Sequence, residues 1–137
     1  MGYIFTRKET LPTMQPNLAA NTAENAVLTK ATLRAADLLD ITARMLASII
    51  GVSEATVSRM RRQEFLLERG TKPFELAVLF VRLFRSLDAT VGGDETVARA
   101  WLKNANTAFD GIPLEKIVTI SGLVDVIAYL DSRRALV

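Results

Sequence analysis

The sequence predicts an all-α protein, and three observations support this fold class. Apolar residues recur at steps of three and four residues in several segments, which is the spacing of one helical face. No segment shows the strict alternation of apolar and polar residues that indicates an exposed strand. The joining segments are short and contain glycine, proline or helix-capping side chains. The 137 residues, half of them apolar, suffice for one domain or two small domains that share a core.

The composition excludes several classes of protein. The chain contains neither histidine nor cysteine, so a Ser-His-Asp triad, a cysteine nucleophile, a thiolate or imidazole metal site and a disulfide framework are all impossible. We therefore predict a protein that is not an enzyme and has no cofactor or metal. The net charge of +2, from 17 basic and 15 acidic residues, does not by itself require a nucleic-acid or membrane partner.

Residues 1–21 are predicted to be a flexible arm. They contain two prolines and show no periodicity, which is typical of a segment that is disordered or orders only on a partner. No apolar core follows the charges of residues 7 and 8, so a signal peptide is not expected. Arg82 and Arg85 interrupt the most apolar stretch. These features predict a cytoplasmic protein without a membrane partner.

The first predicted helix covers residues 24–39, and short helices follow at residues 43–50 and from residue 54 to about 62. Thr42 and Ser53 are the expected N-caps of the two short helices, and Gly51 is expected to end the first of them in the left-handed conformation. The residues of the first helix that we expect to face the core are Val27, Leu28, Ala31, Ala35, Leu38 and Leu39.

The two short helices have the spacing of a helix-turn-helix motif. Ala47 is small where the helices must approach each other, and Gly51 follows four residues later in the turn. Val57 and Met60 supply apolar contacts for the second helix. In such motifs the second helix enters the DNA major groove. A helical corner with a solvated arginine face is the alternative interpretation.

The second short helix carries the basic excess of the chain. Residues 54–62 contain three arginines and one glutamate, a net charge of +2 that equals the total. Arginine can pair with guanine or phosphate, and hydroxyl groups can bind either bases or phosphates. The predicted DNA-binding residues are Thr42, Ser53, Thr56, Ser58, Arg59, Arg61 and Arg62.

A DNA-binding helix-turn-helix generally works in pairs, so a homodimer is expected. A predicted helix that begins near Thr71 and Pro73 is apolar over most of residues 74–87. This surface could join two copies, or its side chains could fill the core of one copy. The apolar residues are Phe74, Leu76, Ala77, Leu79, Phe80, Leu83, Phe84 and Leu87.

Three further helical segments are predicted after Gly92. The first, residues 94–103, should place Val97, Ala98, Trp101 and Leu102 inward, with Trp101 as a core anchor. A turn at residues 110–113 leads to a short helical piece at residues 114–118. The last helix runs from residue 121 to about residue 133. Its expected core residues are Leu123, Val126, Ile127 and Leu130.

Ten residues of the C-terminal half form a pattern, and they are Ala98, Trp101, Leu102, Asn106, Gly111, Pro113, Leu114, Gly122, Val126 and Leu130. This pattern resembles that of the Xre/MbcA/ParS antitoxin family, whose members join a helix-turn-helix region to a C-terminal toxin-binding domain. With the N-terminal motif, the resemblance covers roughly residues 24–132. Ala105 departs from the pattern, since many members have proline there, and residues 131–135 lack the glycine that commonly follows the last helix.

The resemblance implies a type II antitoxin that neutralises a RES-domain toxin, an enzyme that consumes NAD, and represses its own operon. It implies that a C-terminal segment obstructs the mouth of the toxin active site. Arg133 and Arg134 could pair with acidic groups or occupy a phosphate position, or they could simply stabilise a helix C-terminus. The expected toxin-binding residues are Asp131, Arg133, Arg134, Leu136 and Val137.

These inferences divide the chain into three parts. Residues 1–21 form the arm, residues 22–70 the helix-turn-helix region, and residues 71–137 a helical domain for dimerisation and toxin binding. A stand-alone transcription regulator, whose C-terminal half only dimerises or senses a ligand, is the alternative function.

Overall fold

A computed structural model describes residues 17–134, which form seven helices and no β-strand. The predicted all-α fold class is confirmed for this part of the chain. The helices are α1 (Asn17–Leu38), α2 (Ala43–Ile50), α3 (Glu54–Arg61), α4 (Lys72–Thr90), α5 (Glu95–Lys103), α6 (Pro113–Lys116) and α7 (Ile120–Arg134).

Helix α1 begins at Asn17, so the prediction of an arm up to residue 21 was too long. No proline occurs between Pro16 and Pro73, and the alanines and leucine after Pro16 favour a helix. Residues 1–16 of the predicted arm lie outside the described part.

The buried face of α1 differs from the predicted one. Val27 was expected to face the core, but its residue surface is 68% exposed. Thr29 and Thr32 are buried instead. Each threonine hydroxyl donates to a carbonyl oxygen four residues earlier at 2.7 Å, so its burial leaves no unpaired polar group.

Helix α4 lies at the centre of the packing. Thr71 caps its N-terminus by accepting a hydrogen bond from the Phe74 amide, and Phe80, Leu83 and Leu87 are fully buried. Helices α1, α2, α5 and α7 all pack against α4. The prediction that this helix is largely surrounded is confirmed, although Val78 on it remains 44% exposed.

The C-terminal helices pack around an aromatic cluster. Trp101 is half-buried, stacks on Tyr129 with ring centroids 6.3 Å apart, and meets the edge of Phe109 at 6.0 Å. Val97 was expected inward but is 48% exposed, because α5 buries Ala98 and Leu102 on the adjacent side. The four predicted core residues of α7 are all buried.

Helices α6 and α7 meet at a tight corner that requires glycine. Gly122 is buried in the first turn of α7, and a Cβ there would collide with the backbone carbonyl of Lys116. The Thr119 hydroxyl accepts a hydrogen bond from the Gly122 amide at 3.0 Å. Backbone contact at this corner therefore fixes the direction of α7.

We expect Gly122→Ala to lower the free energy of unfolding by about 1–3 kcal/mol, the usual range for overpacking a dense core. The collision involves backbone atoms and outweighs the better helix propensity of alanine. Urea unfolding followed by circular dichroism measures the change.

Gly111→Ala is the matched control, because a Cβ at Gly111 would meet only the end of the Lys116 side chain at an ordinary 3.9 Å. Equal losses of stability in the two variants would contradict this account of the corner.

Candidate functional site

The turn between α2 and α3 has the predicted capping geometry. The Thr42 hydroxyl accepts a hydrogen bond from the Met45 amide at 3.1 Å, and the Ser53 hydroxyl accepts one from the Thr56 amide at 3.0 Å. Gly51 lies at φ 75° and donates its amide to the Ala47 carbonyl at 2.9 Å. Both N-caps and the left-handed turn are confirmed.

Packing between α2 and α3 leaves one face of α3 open. Ala47, Val57 and Met60 are buried as predicted, which holds α3 against the core. Glu54, Ala55 and the three arginines are exposed, while Thr56 and Ser58 are half-buried. The structure thus has the two short helices and the tight turn of a helix-turn-helix motif, with a basic outer face.

The predicted arginines of this face differ in their partners. The Arg59 guanidinium lies over the Phe65 ring, 5.2 Å from its centroid, and has no carboxylate partner among residues 17–134. Arg61 forms a two-pronged salt bridge with Asp37 of α1 at 2.9 and 3.3 Å. Arg62 pairs with Glu64 at 3.1 Å.

The two arginine salt bridges are exposed, so each contributes only about 0.2–1 kcal/mol and could be exchanged for a phosphate contact at little cost. Arg59 needs no such exchange. Its ring contact restricts the side chain while its N–H groups stay available to a ligand.

The predicted hydroxyl residues do not form one group. The Ser53 and Thr56 hydroxyls lie together, 2.9 Å apart, at the start of α3. Thr42 is exposed but caps α2, and Ser58 lies further along α3. The structure therefore brings together Ser53 and Thr56, whose hydroxyls already bond to each other.

Sequence reasoning missed basic residues on α1 and α2. Lys30 and Arg34 border the same shallow groove as Asp37 and Arg61, which extends the basic surface onto α1. Arg44 is exposed in the first turn of α2. The four-residue spacing of Lys30 and Arg34 places them on one helical face and could have indicated them.

Asp131 joins the end of α7 to α4. One carboxylate oxygen accepts a hydrogen bond from the Ser86 hydroxyl at 2.7 Å and lies 3.3 Å from Arg134, and the other accepts one from Arg82 at 2.9 Å. The Ser86 hydrogen bond lowers the pKa of Asp131 below its ordinary value of 3.8; Arg82 and Arg134 act in the same direction, and burial opposes them.

The predicted toxin-binding residues therefore have different environments. Asp131 and Arg134 are paired within the chain. Arg133 is exposed and makes no ion pair with the described residues. Leu136 and Val137 lie outside the described part. Toxin contact by these residues remains a prediction.

Comparison with known sequence families assigns both halves of the chain. Residues 19–82 match the antitoxin Xre-like helix-turn-helix domain. Residues 86–135 match the antitoxin Xre/MbcA/ParS C-terminal toxin-binding domain. The chain belongs to the Xre/MbcA/ParS antitoxin family. A comparison with curated proteins gave no match.

The two family domains make the chain a type II antitoxin with a toxin partner and a DNA-binding motif. The toxin-binding domain favours this function over a stand-alone regulator. Both assigned domains are binding modules. The two matched regions meet within α4, so the two parts of the antitoxin share this helix.

Residues of the family pattern shape the C-terminal domain of the antitoxin. Asn106 and Gly111 form an isolated antiparallel bridge, in which the Asn106 amide donates to the Gly111 carbonyl at 2.8 Å. The Asn106 side chain accepts a hydrogen bond from the Ala108 amide at 2.8 Å. This closed turn carries Phe109 into the aromatic cluster with Trp101.

No helix within residues 17–134 of the antitoxin combines the length and the apolar character needed to cross a membrane.

We expect the stabilising effect of Asp131 to depend on pH. Since its pKa in the folded antitoxin lies below 3.8, the carboxylate stabilises the fold above that pH, and this contribution is lost as the pH falls through the folded-state pKa. Asp131→Asn should therefore lower the free energy of unfolding by about 1 kcal/mol at pH 7, and this difference between the variant and the parent should shrink below pH 3.8.

Urea unfolding of the antitoxin and of Asp131→Asn at several pH values measures this difference. Asp125→Asn, on the exposed part of α7 and without a salt bridge to the described residues, is the control. A difference that stays constant between pH 7 and the acid range would contradict the role given to the Asp131 charge.

Proposed function

We propose that the antitoxin represses its own operon as a homodimer that binds operator DNA through α3, and that its C-terminal segment blocks a RES-type toxin. The observation that carries the DNA-binding part is the position of Arg59. Its guanidinium is exposed on α3, held over Phe65 and without a carboxylate partner in the described part.

In this proposal the basic residues of α3 contact different parts of the DNA. Arg59 reads a base, because an arginine with open N–H groups can pair with two guanine acceptors in the major groove. Arg61 and Arg62 release their exposed carboxylate partners and bind phosphates. Lys30, Arg34 and Arg44 add phosphate contacts outside α3.

The small size of the surface that one copy presents to DNA favours a homodimer. One helix of eight residues reaches too few bases to select an operator, whereas two copies can read paired half-sites one helical turn apart. Binding upstream of its own gene would make the antitoxin an autorepressor.

The toxin-blocking part of the proposal rests on the C-terminal domain. Asp131 ties the end of α7 to α4, which fixes the position of the last helical turn and of Arg133 within it. Arg133 offers an exposed cation, which suits an acidic group or the place of a substrate phosphate. The family pattern from Ala98 to Leu130 supports a RES-type, NAD-consuming partner.

We expect Arg59→Ala to weaken operator binding about 10- to 100-fold, the cost of one base contact. Arg133→Ala is the matched control, since both arginines are exposed and neither has an ion pair in the described part. Fluorescence anisotropy with DNA from upstream of the antitoxin gene measures binding.

Arg59→Ala should still neutralise the toxin. Equal losses of DNA binding in the two arginine variants would contradict the assignment of Arg59, provided that both keep the circular dichroism spectrum and thermal midpoint of the parent antitoxin.

We expect truncation after Ser132 to abolish toxin neutralisation and to leave operator binding unchanged. The cut keeps Asp131 and its bonds to Ser86 and Arg82, so α7 stays attached to α4. Co-expression with the protein encoded by the adjacent gene, with growth rescue as the readout, measures neutralisation.

NAD consumption by the purified partner, with and without the antitoxin, then tests the toxin class. A toxin that the truncated antitoxin still inhibits, or one that consumes no NAD, would contradict the corresponding part of the proposal.

A further inference from the structure

An open apolar groove runs between α1 and α4, and no residue of α3 lines it. Val27 and Ala31 line it from α1, and Phe74 and Val78 line it from α4. Val27 is 68% exposed and Val78 is 44% exposed, although both are large apolar side chains. Nothing within residues 17–134 covers this groove, so as far as the described residues go its apolar surface is open to a partner.

The two ends of the groove have opposite charges. Arg69, just before α4, binds Glu24 in the first half of α1, and Arg99, after α4, donates to the carbonyl of Leu38 at the end of α1. Helices α1 and α4 therefore run in the same general direction. Glu24 therefore lies toward one end of the groove, and Arg85 lies toward the other together with Arg82, which already binds Asp131.

These charges are available to a partner. Arg85 is exposed and makes no ion pair with a described residue. The Glu24 carboxylate binds Arg69, but this bridge is exposed, with half of each side-chain surface open to water. An exposed pair of this kind contributes little to stability and leaves acceptor positions on the carboxylate.

We propose that this groove is the dimer surface, and that it binds the same groove of a second copy in antiparallel orientation. A two-fold axis then places Glu24 of one protomer beside Arg85 of its partner, and the same contact occurs twice. The valines of both copies cover each other between the two charge pairs. This inference rests on the proposed dimeric operator binding and assigns its surface.

A second copy fits the groove because the charged and apolar residues of one groove are complementary to the same residues of another. Opposite charges at the two ends, with apolar side chains between them, are self-complementary only when the two copies run antiparallel. The buried surface of α4, including Phe80 and Leu87, takes no part, because it already forms the core of one copy. Dimerisation through the groove therefore needs no rearrangement of the fold.

Sedimentation velocity over a range of concentrations tests the apolar part of the surface. We expect Val78→Asp to raise the dimer dissociation constant at least about tenfold, since it buries a charge against an apolar partner. Val97→Asp is the control, because Val97 is equally exposed but lies on α5 outside the groove. Both variants must keep the parent thermal midpoint.

Charge exchange tests the antiparallel orientation. Arg85→Glu and Glu24→Lys should each weaken the dimer, and the double variant should recover most of the loss. Glu24→Lys also breaks the bridge to Arg69, so Arg69→Ala is its control and should leave the dimer intact. Failure of the double variant to recover affinity would overturn the antiparallel pairing.

The remaining outcomes separate this inference from the proposed function. A parent antitoxin that stays monomeric at every concentration, or a dimer that Val78→Asp does not weaken, overturns the groove as dimer surface. A monomeric parent would also contradict the homodimer of the proposed function, whereas a dimer that Val78→Asp does not weaken leaves the proposed function standing if operator binding and toxin neutralisation are retained. If Val78→Asp leaves the dimer intact but abolishes toxin binding, the groove belongs to the toxin and the inference is wrong.

Discussion

Burial of the apolar side of α4 determines how the other helices are arranged. Phe80, Leu83 and Leu87 are fully buried, and each such side chain contributes about 1.5–3 kcal/mol through the hydrophobic effect. Because α1, α2, α5 and α7 all pack against this helix, the DNA-binding motif and the toxin-binding domain share one core. The orientation of either part is therefore set by the same buried residues.

The charged side chains on the outer surface are of two kinds: some stabilise the fold, and others remain open to partners. Arg61, Arg82 and Arg134 bind carboxylates of the same chain. Arg59, Arg85 and Arg133 make no such pair among the described residues, and they lie on α3, α4 and α7 respectively. In the proposals these three arginines meet DNA, a second copy and the toxin respectively, so each binding reaction uses a different unpaired arginine.

Local features of the structure could be predicted from sequence. The caps at Thr42 and Ser53 and the turn at Gly51 depend on residues within a few positions, and their spacing is sufficient evidence. Periodicity also found the core side of α7. It failed at the edges of buried faces. Val97 is next to the buried Ala98 and Val27 is two positions before the buried Thr29, and only the tertiary packing decides which of these neighbouring positions is covered.

Long-range pairs explain the rest of what sequence could not show. The partners Arg61 and Asp37 are 24 positions apart, and Ser86 and Asp131 are 45 positions apart. Nothing in local spacing selects these partners among many charged residues. The same holds for Gly122, whose need for a missing Cβ appears only when α6 and α7 meet at the Lys116 carbonyl.

The sharing of α4 also has a consequence for how the antitoxin can be inactivated. A protease that cleaves between α4 and α7 would remove the cover of Phe80, Leu83 and Leu87, so the damage would spread through the common core to α1 and α2. One cut would then end toxin blocking and operator binding together. If the antitoxin represses its own operon as proposed, its destruction would release the toxin and restart synthesis of the pair in a single event.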